Sequence, residues 1–115
     1  MADILVDTDV FVAHLRGAVP LTPKRHRLRY SMVTRTELFA GTAATDVVST
    51  LLAPFREISV DGAVAERAGR IRREAGIRLP DALIAATAIE RGLGLPTRNR
   101  ANHARVRGLR LLRNG

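Results

Sequence analysis

The chain has no cysteine, which excludes disulfides, zinc–thiolate sites and thiol nucleophiles and leaves oxygen or imidazole to hold any metal. Aromatics make up 3% of it, so ring stacking on nucleobases is scarce, and a nucleic acid would have to be gripped through phosphates and guanidinium faces. Lys24 is the only lysine, and the formal net charge of +8 comes almost wholly from arginine. No apolar run reaches membrane-spanning length, and the N-terminus opens on an acid and an apolar strand where a signal peptide would carry a basic segment. A cytoplasmic protein with no membrane partner is therefore expected. Neither a nucleophile elbow nor a glycine-rich phosphate loop occurs, so any phosphate-ester hydrolysis has to rest on carboxylates.

At 115 residues the chain is expected to form a single domain over residues 1–115. A sequence pI of about 11.6 points to a polyanionic partner, although a GC-rich genome would also favour arginine. Ile4-Leu5-Val6 reads as a buried strand that delivers Asp7 at its C-terminal end. A short helix over Val10–Leu15 closes at Gly17. Pro20 and Pro23 interrupt the next stretch, and the basic run Lys24–Arg29 reads as a loop. Tyr30–Val33 is predicted as a second strand, with Thr34 capping a helix through Phe39.

Further on, Thr45 or Asp46 starts a helix, and Glu57–Val60 forms a short strand. Asp61 caps a helix buried along Val64, Ala68, Ile71 and Ala75. Leu79-Pro80-Asp81 opens an apolar helix that runs to Glu90, with Gly92 past its end. Leu93–Thr97 reads as a strand that Pro96 confines to an edge or cuts short, and Leu109–Leu112 as a final strand. Strands alternating with helices imply a small, mostly parallel sheet flanked by α-helices, an α/β fold.

Three acids, Asp7, Glu37 and Asp81, fall where strands end or helices begin, and the C-terminal edge of such a sheet is where ligands bind. Each has a structural alternative. Asp7 can form an Asx turn with the backbone of Thr8 or Asp9. Thr34-Arg35-Thr36-Glu37 matches a capping box, and Asp81 suits the positive end of a helix dipole. Together they suit a hard divalent cation, which takes oxygen ligands and usually only one or two carboxylates directly. Such an ion activates water and stabilises the leaving oxygen in phosphodiester cleavage. The three histidines, His14, His26 and His103, lack the spacing of a metal pair.

Ile4-Leu5-Val6-Asp7-Thr8-Asp9, the block from Ser31 to Gly41, and Leu79-Pro80-Asp81-Ala82-Leu83-Ile84-Ala85 followed by Thr97-Arg98-Asn99 resemble, in order, the PIN domain and within it the VapC toxins of bacterial toxin–antitoxin pairs. The resemblance implies an Mg²⁺-dependent endoribonuclease, with Mn²⁺ as a substitute, that cleaves structured RNA such as tRNA or rRNA and blocks translation and growth. It also implies a homodimer neutralised by a VapB-type antitoxin. On the motif, Asp7, Glu37 and Asp81 are the catalytic acids. Asp7 and Asp81 are the leading metal ligands, Glu37 positions or activates water, and Asn99 stands as a weaker fourth ligand where these toxins commonly carry an acid. Arg25, Arg27, Arg98 and Arg100 are the expected RNA contacts. Asn102-His103 replaces a frequent Asp-Phe pair, and the segments 18–29 and 38–80 look short for the family. A degenerate module that binds RNA or an antitoxin without cleaving is the alternative.

Overall fold

In the computed structural model, residues 2–17, 26–96 and 100–112 are described. The side chains of Ala2, His26 and Asn102 lie outside that set, as do all of Arg25, Arg98 and Asn99. The first strand, β1 (Ala2–Leu5), runs into α1 (Thr8–Leu15). Then follow β2 (His26–Ser31), α2 (Met32–Ala40), α3 (Thr45–Leu52), β3 (Arg56–Ile58), α4 (Gly62–Ala75), α5 (Leu79–Arg91), β4 (Leu95–Pro96), α6 (Arg100–His103) and β5 (Leu111–Leu112).

Every strand pairing is parallel. β1 pairs with β2 in the register Ile4↔Leu28, and β2 pairs with β3. On the other side β4 pairs with β5, and an Ile4↔Gly94 bridge joins the two ladders. The spatial order is therefore β3-β2-β1-β4-β5, with β1 in the middle. The chain winds one way from β1 to β3 and the other way from β4 to β5, so the switch point lies beside the C-terminal end of β1.

Two expectations need correction here. The basic run does not stay in a loop: His26–Arg29 belong to β2, a strand paired on both edges. The ladder to β1 takes in all four of these residues and Arg29 also joins the ladder to β3, and this pairing outweighs the weak strand preference of an arginine-rich segment. The helix that follows begins at Met32, with Ser31 as its cap; the Ser31 hydroxyl accepts from the Val33 N–H at 3.1 Å. Thr34 thus sits inside the first turn and cannot form a capping box with Glu37.

Of the two outcomes expected of Pro96, an edge strand or an early stop, the second holds: β4 is internal and ends at Pro96. The Gly94 N–H donates to Asp3 O and the Leu95 N–H to Arg110 O. By alternation the nitrogen of Pro96 faces β1, where it has no proton to give, and the β1–β4 ladder stops there.

Elsewhere the pattern is as the residues dictate. The Asp61 carboxylate accepts from the Val64 N–H at 2.9 Å, and α4 buries Val64, Ala68, Ile71 and Ala75. Those side chains pack on Ala82, Ala85 and Ala86 of α5, whose small size lets the two helices approach closely. Asp61 also pairs with Arg91, and Arg67 with Glu90, across the same antiparallel pair. Gly92 ends α5 at φ +65°, a left-handed conformation that favours glycine. No described helix is long and apolar enough to cross a membrane.

Candidate functional site

Asp7 lies two residues beyond β1 and is the N-cap of α1, with 3% of its surface exposed. Its side chain makes no capping bond to that helix. A carboxylate this deeply buried at the switch point is held by the fold against a desolvation cost of several kcal/mol, of order ~5. Asp81 is half-buried in the first turn of α5, behind Pro80, and Arg78 rather than an acid occupies the cap position.

Glu37 reaches the site from α2. Its Oε1 accepts a hydrogen bond of 2.7 Å from the Thr8 hydroxyl, and the Thr8 oxygen lies 2.9 Å from the Thr34 hydroxyl. An ionised glutamate only accepts, and a threonine has one hydroxyl proton. The direction is therefore fixed: Thr34 donates to Thr8, and Thr8 donates to Glu37. Both threonines are buried, so this relay ties the residue beside Asp7 to the carboxylate of Glu37 where water competes little. The sequence offered no signal for it beyond Thr8 between two acids and Thr34 one helical turn before Glu37, and its contacts are tertiary, spanning 26 and 29 residues.

Behind the relay, Arg35 fixes α2 to the sheet. It donates to the Tyr30 hydroxyl at 2.9 Å and forms an ion pair with Glu57 in the middle of β3. Burial, with the neighbouring Glu57 charge adding to it, raises the Tyr30 phenol above its usual range, partly opposed by Arg35.

Among the described residues no group of three or more His, Asp or Glu side chains stands close enough to hold a metal ion. Asp7 and Glu37 are linked through Thr8, and Asp81 does not complete a three-acid cluster with them. The donors on hand are nonetheless all oxygen. A buried carboxylate and a second one oriented by a neutral hydroxyl suit a hard cation that keeps most of its own waters.

Of the expected RNA contacts, Arg25 and Arg98 lie outside the described residues, as does Asn99. Arg27 stands in the first half of β2, opposite Asp3 and ion-paired to it at 2.9 Å, which is toward the N-terminal end of the strands. Arg100 opens α6, where one guanidinium nitrogen donates to Leu112 O at 3.0 Å. His103, expected in a basic loop, is instead 1% exposed on α6.

The chain matches the model of the PIN domain over residues 4–109. It is 43% identical to "Ribonuclease VapC10" of Mycobacterium tuberculosis over 109 residues, covering 84% of this chain and 82% of that protein. Among solved structures, a toxin–antitoxin complex from Klebsiella pneumoniae aligns with a TM-score of 0.76 and 26% identity over 95% of both chains. VapBC2 from Rickettsia felis, bound to a DNA fragment from its promoter, aligns with a TM-score of 0.82 over 98% of this chain and 99% of that one. At 20% identity that match is a likeness of fold.

Proposed function

This chain belongs to the PIN-domain family, and from that membership we propose that it is the toxin of a VapBC-type toxin–antitoxin pair, an endoribonuclease that works with a divalent metal ion. The 43% identity to a named VapC ribonuclease carries the reading. We take Mg²⁺ as the working ion, with Mn²⁺ able to replace it, structured RNA such as tRNA or rRNA as the substrate, and translation and growth as what its cleavage stops. The functional unit is a single PIN-like domain over residues 1–115, acting as a homodimer and neutralised by a VapB-type antitoxin. Complexes of that kind are what the similar solved chains belong to.

The residues assigned to the chemistry are Asp7, Glu37 and Asp81. Asp7 and Asp81 would hold the ion, with Glu37 and more weakly Asn99 completing the oxygen set. When bound, the ion supplies charge to stabilise the leaving oxygen and to make water acidic enough to attack a phosphodiester. Glu37, acting as a base, must present one defined oxygen, and the Thr34–Thr8 relay engages Oε1, which leaves Oε2 to orient the attacking water and take its proton. Asp7, almost wholly buried, would present a carboxylate with little freedom to reorganise. Arg25, Arg27, Arg98 and Arg100 remain the proposed phosphate contacts, with Arg27 the weakest of them because Asp3 already neutralises it.

A second reading, a PIN-like module that binds RNA or an antitoxin without cutting, draws on the incomplete three-acid grouping and on Asn99. The deciding experiment is incubation of total cellular RNA with purified, antitoxin-free protein and Mg²⁺ or Mn²⁺, beside EDTA and Asp81→Asn controls. Discrete fragments that vanish in both controls are expected. Intact RNA over a wide range of metal concentration, from folded protein, would overturn the nuclease in favour of the binding module.

A further inference from the structure

A cleft of about 460 Å³ opens between α4 and the turn that follows α6. Its walls carry four guanidinium groups, from Arg67, Arg70, Arg105 and Arg107, against the single carboxylate of Glu74. Arg67 is already paired with Glu90. Among the described residues, Arg70, Arg105 and Arg107 enter no ion pair. Like charges gathered on one concave wall repel, a cost that one carboxylate, Glu74, offsets only in part and that a polyanion would offset further.

The floor of the cleft is aliphatic. Ile71 and Val106 belong to the same packed cluster as Ala82, the residue that follows Asp81 in the chain. The cleft is thus built on the same packed cluster that holds Ala82, Ala85 and Ala86 in the first half of α5. No ring lines it, so a base has nothing aromatic to stack on. Guanidinium forks match phosphate oxygens two at a time.

We propose that this cleft is a second contact surface for the RNA substrate, holding backbone phosphates of a segment outside the scissile bond. The proposal rests on the ribonuclease reading above and adds where the flanking RNA lies. Recognition here is by charge and independent of sequence, because walls of donors with one acceptor among them suit a ligand segment made of acceptors. The chosen bond is then set at the acids, while the cleft sets how long an RNA must be to bind well.

The test uses the full chain and a fluorescently labelled tRNA transcript in EDTA, so that binding is read without cleavage. Relative to wild type, Arg70→Ala with Arg107→Ala is expected to weaken binding by about tenfold and to flatten the dependence of log affinity on log salt by about two. The same pair changed to lysine should keep the salt slope, since the charge is kept, and lose only part of the affinity, since the fork is not, and Arg72→Ala, on α4 but outside the cleft, should change neither quantity beyond the loss of one exposed charge. Equal losses from Arg72→Ala and from the double alanine variant would overturn the proposal, as would unchanged affinity and slope in the double variant. Loss of binding to an antitoxin but not to RNA would also overturn it and assign the cleft to a protein partner. Wild type that cuts RNA alongside a double variant that binds normally sinks only this inference. Wild type that binds through the cleft but never cuts sinks only the nuclease.

Discussion

The hydroxyl of Thr8 donates to Oε1 of Glu37 at 2.7 Å, linking the first turn of α1 to the middle of α2. Thr8→Val keeps the shape and removes the donor. We expect RNA cleavage to fall by about 10- to 100-fold, as misplacing a catalytic group does, and stability to fall by about 1–2 kcal/mol because the buried Thr34 hydroxyl loses its acceptor. Thr8→Ser should restore most of both. Cleavage rates and urea unfolding of the three proteins check this; full activity in the valine variant would remove the relay from the mechanism.

Glu37 plays no part in capping α2, since Ser31 does that. Glu37→Gln can still accept from Thr8 through its amide oxygen, so unfolding should move by less than about 0.5 kcal/mol while cleavage drops by about 100-fold or more. Asp7→Asn and Asp81→Asn should likewise abolish growth arrest on expression and leave the fold intact. A variant of either that remains fully toxic would contradict the assignment of the acids.

The Tyr30 phenol holds its proton to higher pH in the folded chain than in the unfolded one, because burial opposes the phenolate. The folded state then binds more protons through the alkaline range. The stability this contributes is complete below the unfolded value of about 10 and is lost as pH rises through the higher folded value. Tyr30→Phe should abolish that part of the alkaline decline and, by freeing one donor of Arg35, cost about 1 kcal/mol near neutral pH. Denaturant midpoints of both proteins from neutral to strongly alkaline pH will show whether their curves converge at the alkaline end.

Gly94 is where β4 meets β1, and a Cβ there would lie 2.5 Å from Leu112 Cδ1 and 3.0 Å from its Cγ. The backbone itself is not in a left-handed conformation, so the obstacle is Leu112, a side chain that can turn aside. Gly94→Ala should therefore cost about 1–2 kcal/mol, and Gly94→Val more, as overpacking does. Gly94→Ala combined with Leu112→Ala should recover part of the loss, read as the midpoint of urea unfolding.

Local signals carried much of the architecture. The Ile4-Leu5-Val6 run, the Asp61 cap with its apolar stripe, and Pro80 and Gly92 around α5 are each settled within a few residues, and the structure has them where the residues imply. β2 was less legible because its strand character comes from two neighbours and not from Arg27, Leu28 and Arg29 themselves. The start of α2 was missed by a similar margin, since Ser31 and Thr34 are equally good caps on paper and only the end of β2 decides between them. The acids stood out in the sequence as residues. Their connection did not, because the Thr34–Thr8–Glu37 relay exists only once β1 and β2 lie side by side. The arginine cleft, assembled from α4 and the turn after α6, is invisible along the chain for the same reason.

The position of β1 at the middle of the sheet bears on how the protein comes into being. One edge of β1 is satisfied by β2, soon after it in the chain, but the other waits for Gly94 near the far end. Until that residue arrives, a growing chain has a bare central strand and an unfinished crevice beside Asp7. Closing so long a loop is the slow part of folding such a topology. Assembly of the acidic edge is therefore a late event, and a polypeptide cut short before β4 would expose an open strand edge prone to pair with its neighbours.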